Sequence, residues 1–226
     1  MIVCVYALIT SSSSRVAATG VAGERLRAVT AGRVTAMVGE LRRAPKPTMR
    51  NLKRYAAAIE SVAARAPAVL PVRFGTCMTD VDDLTMALRS RHDTLCRRLR
   101  GVRGRVQMTI RLVLESGSGA ALHASLTRDP SPDASQTRGT QFLQQRAASS
   151  MRAREIPGFD PIRAAATRWI RDERIEKRAG VATVNHLIPR GSVAAYRAAV
   201  ARAADRSAVR LIVSGPHAPY AFADSW

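Results

Sequence analysis

The strongest constraint on this chain is an abrupt change of period at Pro67. Upstream of it, after the breaker "APKP" at residues 44–47, Leu52, Tyr55, Ala56, Ile59, Ala63 and Ala66 recur at helical spacing. That spacing predicts a helix over 49–66. Immediately downstream, "AVLPVRF" is a short apolar run that reads as a strand over 68–74, and Gly75 supplies the freedom to turn away from it. A second helix is expected over 80–100, capped by Thr79 with Asp82 in the capping-box position. Val81, Leu84, Leu88, Leu95 and Leu99 line one of its faces. Helix, strand and helix in such close succession belong to a layered α+β core.

The flanking segments extend this pattern. "IVCVYALI" at 2–9 is a buried strand by its β-branched and aromatic content, closed by the serine run at 11–14. Leu26, Ala28, Val34, Ala36 and Val38 alternate about Gly32 as a hairpin requires. Arg105 to Leu114 alternates most cleanly, with Val106, Met108, Ile110, Leu112 and Leu114 on one side and Gln107, Thr109 and Arg111 on the other. Residues 115–139 turn to Ser, Gly, Pro, Asp and Thr and are expected to be a mobile loop. A helical region follows from 140 to 178, broken at "IPGFDP". Strand "VATVNHLI", helix "SVAAYRAAVARAADR" capped by Ser192, strand "AVRLIVS" and the tail "GPHAPYAF" complete the chain. The expected organisation is an N-terminal α+β domain over 1–101 and a C-terminal ferredoxin-like α+β domain over 102–226, with small, mainly antiparallel sheets covered by helices.

Charge and motifs narrow the function classes. The formal charge is +19, and Lys46, Lys53 and Lys177 are the only lysines among 36 basic residues. A field of this size attracts polyanions, so a basic nucleic-acid-binding module is the alternative function. The arginines, however, are spread along the chain and are not interleaved with the stacking aromatics of single-strand binders, which favours a solvated, arginine-biased surface. Aromatics make up 4% of the chain, so the core must be built from Ala, Val, Leu and Ile.

Cys4, Cys77 and Cys96 are widely spaced and read as reduced, half-buried residues of a cytoplasmic protein. The N-terminal apolar stretch lacks the basic flank of a signal peptide, and no run has the ~18–20 apolar residues of a membrane span. The chain has no phosphate-loop, dinucleotide, zinc-helix or nucleophile-elbow motif, so no catalytic residue, metal or cofactor is assigned. "DVDD" at 80–83 suits a helix N-terminus, and "HD" at 92–93 suits a solvated helix face.

"AVLPVRFGT", between a helix and a capped helix, resembles the most characteristic segment of the gas vesicle protein F/L family (GvpF/GvpL). "VCVYAL" at 3–8 is similar to that family's first strand, "LRRLRGVRGRVQMTIRL" to its leucine, glycine and basic-strand junction, and "GTQFLQQR" to its glycine-aromatic-leucine helix start. "VSGPHAPYAF" resembles its closing signature. Gln107 stands where the family usually has an acidic residue, and His217 where it usually has tryptophan.

The resemblance implies an accessory or minor structural protein of gas vesicles, with two domains of modified ferredoxin type and no known catalysis. It also implies a role in assembly, a shell protein of the GvpA type and other accessory proteins as partners, and a place in the cytoplasm and at the gas-facing side of the shell. The candidate structural or partner-contact residues are Pro71, Arg73, Phe74, Gly75, Thr76, Gly215, Pro216, Pro219, Tyr220 and Phe222. At a strand end, the Arg73 guanidinium is expected to bond nearby carbonyls or a carboxylate of the next helix, Asp80 or Asp83; the alternative is direct partner contact. Tyr220 and Phe222 are expected to dock on their own domain, or else to be presented as partner anchors.

Overall fold

The computed structural model describes residues 1–11, 16–113, 156, 158–178, 180–207 and 210–223. The chain divides into two compact units. One comprises Met1–Met108, His186–Val193 and Ser214–Trp226; the other comprises Thr109–Asn185 and Ala194–Val213. These units are not a halving of the chain at 101/102, because later strands return residues to the first unit.

The first sheet is built around β1 (Ile2–Thr10), buried from Val3 to Ile9. It pairs antiparallel with β3 (Val34–Leu41) on one side and with the short β4 (Val69–Pro71) and β5 (Cys77–Met78) on the other. Outermost is β2 (Arg27–Ala31), joined to β3 through Gly32 at φ 60°. The β1–β3 register shifts between Val5 and Ala7, so Val3, Val5 and Leu8 face one cluster while Cys4, Tyr6, Ala7 and Ile9 face the other.

Helices cover both faces, which is why β1 reads as a continuous apolar run rather than an alternating one. Helix α1 (Met49–Arg65) packs Tyr55, Ile59 and Val62 on one face. Thr48 caps it by accepting from the Asn51 N–H at 3.2 Å, and Pro67 stops it by disfavouring helical backbone at Ala66. On the other face lie α2 (Val81–Ser90) and α3 (His92–Val102), presenting Leu84, Leu88, Leu95 and Leu99. Ile59, Leu84 and Leu88 are fully buried, each contributing ~1.5–3 kcal/mol of transfer free energy.

Several local expectations are corrected. β4 stops at Pro71 instead of reaching Phe74, because the chain turns away from the sheet at Arg73–Thr76, where the Thr76 N–H donates to the Arg73 carbonyl. The expected 80–100 helix is two helices broken at Arg91 (φ −113°, ψ 10°), and its cap is Asp80, whose carboxylate accepts from the Asp83 N–H at 2.8 Å, rather than Thr79. Cys4 and Cys77 are not reduced thiols: they face each other in the β1–β5 register and form a disulfide, leaving Cys96 free. A sequence separation of 73 hides that proximity from the linear chain.

The second sheet contains β6 (Arg105–Val113), β7 (Asp172–Arg178), β8 (Val181–Pro189) and β9 (Leu211–His217), in the order β7-β8-β6-β9. Both sheets are antiparallel, and the class is α+β. Val106, Met108, Ile110 and Leu112 are buried as the alternation predicts, but Gln107 and Thr109 on the opposite face are buried too. Thr109 compensates by donating its hydroxyl proton to Asn185 Oδ1 at 2.8 Å.

Residues 172–178, expected to be helical, are a strand, hairpinned to β8 through Gly180 at φ 76°. The strand expected at 208–214 runs instead through 211–217. Helices α4 (Asp160–Ala166) and α5 (Val193–Ser207) accompany them, with Tyr196 and Trp169 meeting edge to face at 6.5 Å. The expected mobile loop at 115–139 and the helical segment from 140 to 155 lie outside the described residues.

Candidate docking surface

The two segments singled out by sequence, 71–76 and 215–222, converge within the first unit. Beyond Pro71 the backbone stays extended for one more bond, with Val72 N–H donating to the Tyr6 carbonyl at 3.0 Å. A tight turn follows, in which both the N–H and the hydroxyl of Thr76 donate to the Arg73 carbonyl, at 3.2 and 2.8 Å. Gly75 at φ 83° makes that turn possible, and no atom stands within 4 Å of where its Cβ would be. The Thr76 carbonyl then accepts from Val5 N–H at 2.9 Å and delivers Cys77 to its disulfide partner.

Side chains of this segment alternate between the two cores. Leu70 and Val72 join one, together with Phe222 from the tail. Val69 and Phe74 join the other, where Phe74 meets the Tyr55 ring edge to face at 5.1 Å and Tyr55 stacks on Tyr6 at 4.8 Å. Arg73 is exposed, and among the described residues its guanidinium has no ion pair with Asp80 or Asp83. The expected side-chain anchor is supplied by its backbone carbonyl instead. Asp80 is already committed to capping α2.

The tail is held by its own Phe222 and by two side chains that sequence reasoning did not single out or placed only by family habit. Glu60 of α1 accepts from Ala218 N–H at 3.0 Å. Gln107 of β6, 6% exposed, accepts from Ala221 N–H through Oε1 at 2.8 Å, so the amide keeps the acceptor that a carboxylate would offer there. Phe222 closes the arrangement at 7% exposure, in a short helical turn over Tyr220–Phe222. Pro219 is buried, Pro216 is exposed, and Gly215 (φ 112°) lets the strand pass with its would-be Cβ only 2.7 Å from the Gln107 carbonyl. Tyr220 stays 38% exposed, and burial, then the Glu60 carboxylate, raises its phenol pKa.

A cavity of about 190 Å³ remains beside the tail, lined by Glu60, Pro67, Arg190 and His217 among others. Arg190 reaches across it to the Ala63 carbonyl at 2.8 Å. The surface left to solvent is therefore Arg73, Gly75, Pro216 and Tyr220, mounted on buried Pro71, Pro219 and Phe222 and half-buried Phe74. Among the described residues no group of three His, Cys, Asp or Glu side chains is placed to hold a metal. Among them also, no helix is long and apolar enough to cross a membrane.

Residues 3–224 match the family model described as gas vesicle synthesis protein GvpL/GvpF. The fold is similar to the crystal structure of the gas vesicle protein GvpF from Anabaena sp. PCC7120, with a TM-score of 0.75 at 16% identity over 100% of this chain and 97% of that one. It is also similar to GvpF from Microcystis aeruginosa, with a TM-score of 0.72 at 15% identity over 99% of both chains. No curated protein sequence matches the chain.

Proposed function

Because the chain belongs to the GvpL/GvpF family of gas vesicle synthesis proteins, we propose that it acts in gas vesicle assembly by binding the apolar shell protein. The observation that carries this reading is the family match over 3–224, nearly the whole chain. The chemistry is compatible. A small, apolar, ribbon-forming subunit is an aggregation hazard before it joins its lattice, and a helper can hold it by adding a strand to a sheet edge or by taking a helix into a groove.

The contact residues in this reading are Arg73, Gly75, Pro216 and Tyr220, which are exposed around a buried and half-buried frame. Pro71, Phe74, Thr76, Gly215, Pro219 and Phe222 act as the frame that fixes their positions. The protein's place in this reading is at the vesicle, on the gas-facing side of the shell.

The test is co-purification of the tagged chain with a gas vesicle shell protein, using wild type and an Arg73→Ala/Tyr220→Ala double variant. The reading expects capture by wild type and loss in a variant whose melting curve is unchanged. Absence of capture by wild type would end it.

A further inference from the structure

We propose that the cavity between the β2–β3 turn and α3 is an oxyanion site that takes the phosphate chain of a small di- or triphosphate. This cavity, about 510 Å³, is of small-ligand size and lies within the first unit. Arg97 and Arg100 project from α3, Arg103 follows at its extended C-cap, and Arg33 faces them from the hairpin turn. Asp93 is the one carboxylate in the lining, and it is bonded to His92 Nδ1 at 3.1 Å. His92 Nε2 in turn accepts from the Arg33 N–H at 3.3 Å, tying the turn to the helix.

Some arginines outside the cavity have counterparts. Arg27 pairs with Glu40 and Arg163 with Glu173, while Arg54 and Arg190 donate to the Val21 and Ala63 carbonyls. In the cavity, Arg97 commits one nitrogen to Thr94 Oγ1 and Arg100 its Nε to the Cys96 carbonyl, and neither meets a carboxylate. Arg33 and Arg103 have no side-chain bond among the described residues. Four guanidinium groups around one concavity repel one another, and like charges at helical spacing destabilise the helix. A polyphosphate reverses the sign of that interaction, because the planar fork of arginine matches phosphate oxygens two at a time and the concave wall focuses the field.

The lining contains no phenyl, phenol or indole ring, and its one imidazole, His92, is held between Asp93 and the Arg33 N–H. The four guanidinium groups make phosphate the chemistry recognised, and a concavity of about 510 Å³ suits a small ligand.

Calorimetric titration of the full chain at fixed ionic strength, with tripolyphosphate, ATP, AMP and a short DNA duplex, tests this. Saturable binding of tripolyphosphate and ATP with similar affinity is expected, with AMP far weaker. Arg97→Ala and Arg100→Ala should each lose roughly tenfold in affinity, while Arg202→Ala, at an exposed position of α5, should lose none. Arg33→Ala, on an exposed turn, provides a further reading should a helix variant fail to fold. No saturable tripolyphosphate binding, ATP binding without tripolyphosphate binding, equal loss in Arg202→Ala, or a duplex that binds without competition from tripolyphosphate would each overturn the assignment.

Discussion

The Tyr55 hydroxyl donates to the Val72 carbonyl at 2.8 Å, joining α1 to the residue that prolongs β4. The Val5 carbonyl lies at 3.0 Å from the same oxygen, so one phenol serves two neighbouring strands with a single proton. Tyr55→Phe keeps the ring stacking on Tyr6 and Phe74 but removes that donor. Its expected cost is about 1–2 kcal/mol in urea denaturation, and an unchanged midpoint would show that the hydroxyl contributes nothing.

The tail is expected to be part of the core. Removing residues 216–226 strips Phe222 from its cluster and leaves Glu60 and Gln107 without their Ala218 and Ala221 donors. Glu60→Ala alone orphans the Ala218 N–H, 2% exposed, and should cost about 1–3 kcal/mol. Thermal melts of both variants check this; a truncated chain that melts like wild type would return the tail to partner presentation.

His217→Trp is expected to raise the melting temperature. His217 borders a space of about 190 Å³, and filling such a space typically gains about 1 kcal/mol if the indole fits without strain. A lowered melting point would mean that Arg190 and Glu60 already occupy the room the ring needs.

Alkaline pH should unfold the protein from its tyrosines. Burial raises the phenol pKa of Tyr6, Tyr55, Tyr196 and Tyr220, with the Glu24 hydrogen bond adding to Tyr6 and the Glu173 charge to Tyr196. The folded state holds these protons above the ordinary value of about 10 at which the unfolded chain releases them. Their contribution is therefore complete below pH ~10 and falls as pH climbs past it, by about 1.4 kcal/mol per pH unit for each fully buried phenol, less for the part-exposed Tyr220. Absorbance titration should show phenolate appearing together with loss of circular dichroism; phenols that ionise near 10 in a folded chain would refute this.

Reduction should loosen the first sheet. The Cys4–Cys77 bridge spans 73 residues, and opening it is expected to lower stability by about 2–4 kcal/mol. Non-reducing mass spectrometry with thiol labelling should find Cys96 alone modified; three labelled thiols in the native protein would contradict the pairing.

Much of the first unit was legible because local signals and tertiary demand agree there. Pro67 ends α1, Gly32 turns the hairpin, and the apolar run of β1 is buried on both sides. Legibility failed where a distant partner decides. Asp172–Arg178 carries a single aliphatic residue, Ile175, and looks like a solvated helix, yet as the outer strand beside β8 its charges guard the sheet edge. The helix break at Arg91 has no proline or glycine to announce it. Of the docking surface, the sequence exposed the turn and the tail but not the residues that bind them together, because Tyr55, Glu60 and Gln107 lie on other elements and their hydrogen bonds cross 17, 158 and 114 positions.

Because Phe222 and Leu187 complete a core begun by Val3 and Val5, the order of synthesis matters. Residues 1–108 leave the ribosome well before residue 214, so the growing chain carries an unfilled apolar notch throughout that interval. A nascent chain stalled before that point is expected to be protease-sensitive where the released protein is not. Consolidation of the amino-terminal half thus waits for the arrival of its own carboxy-terminal plug, which ties maturation to full-length translation.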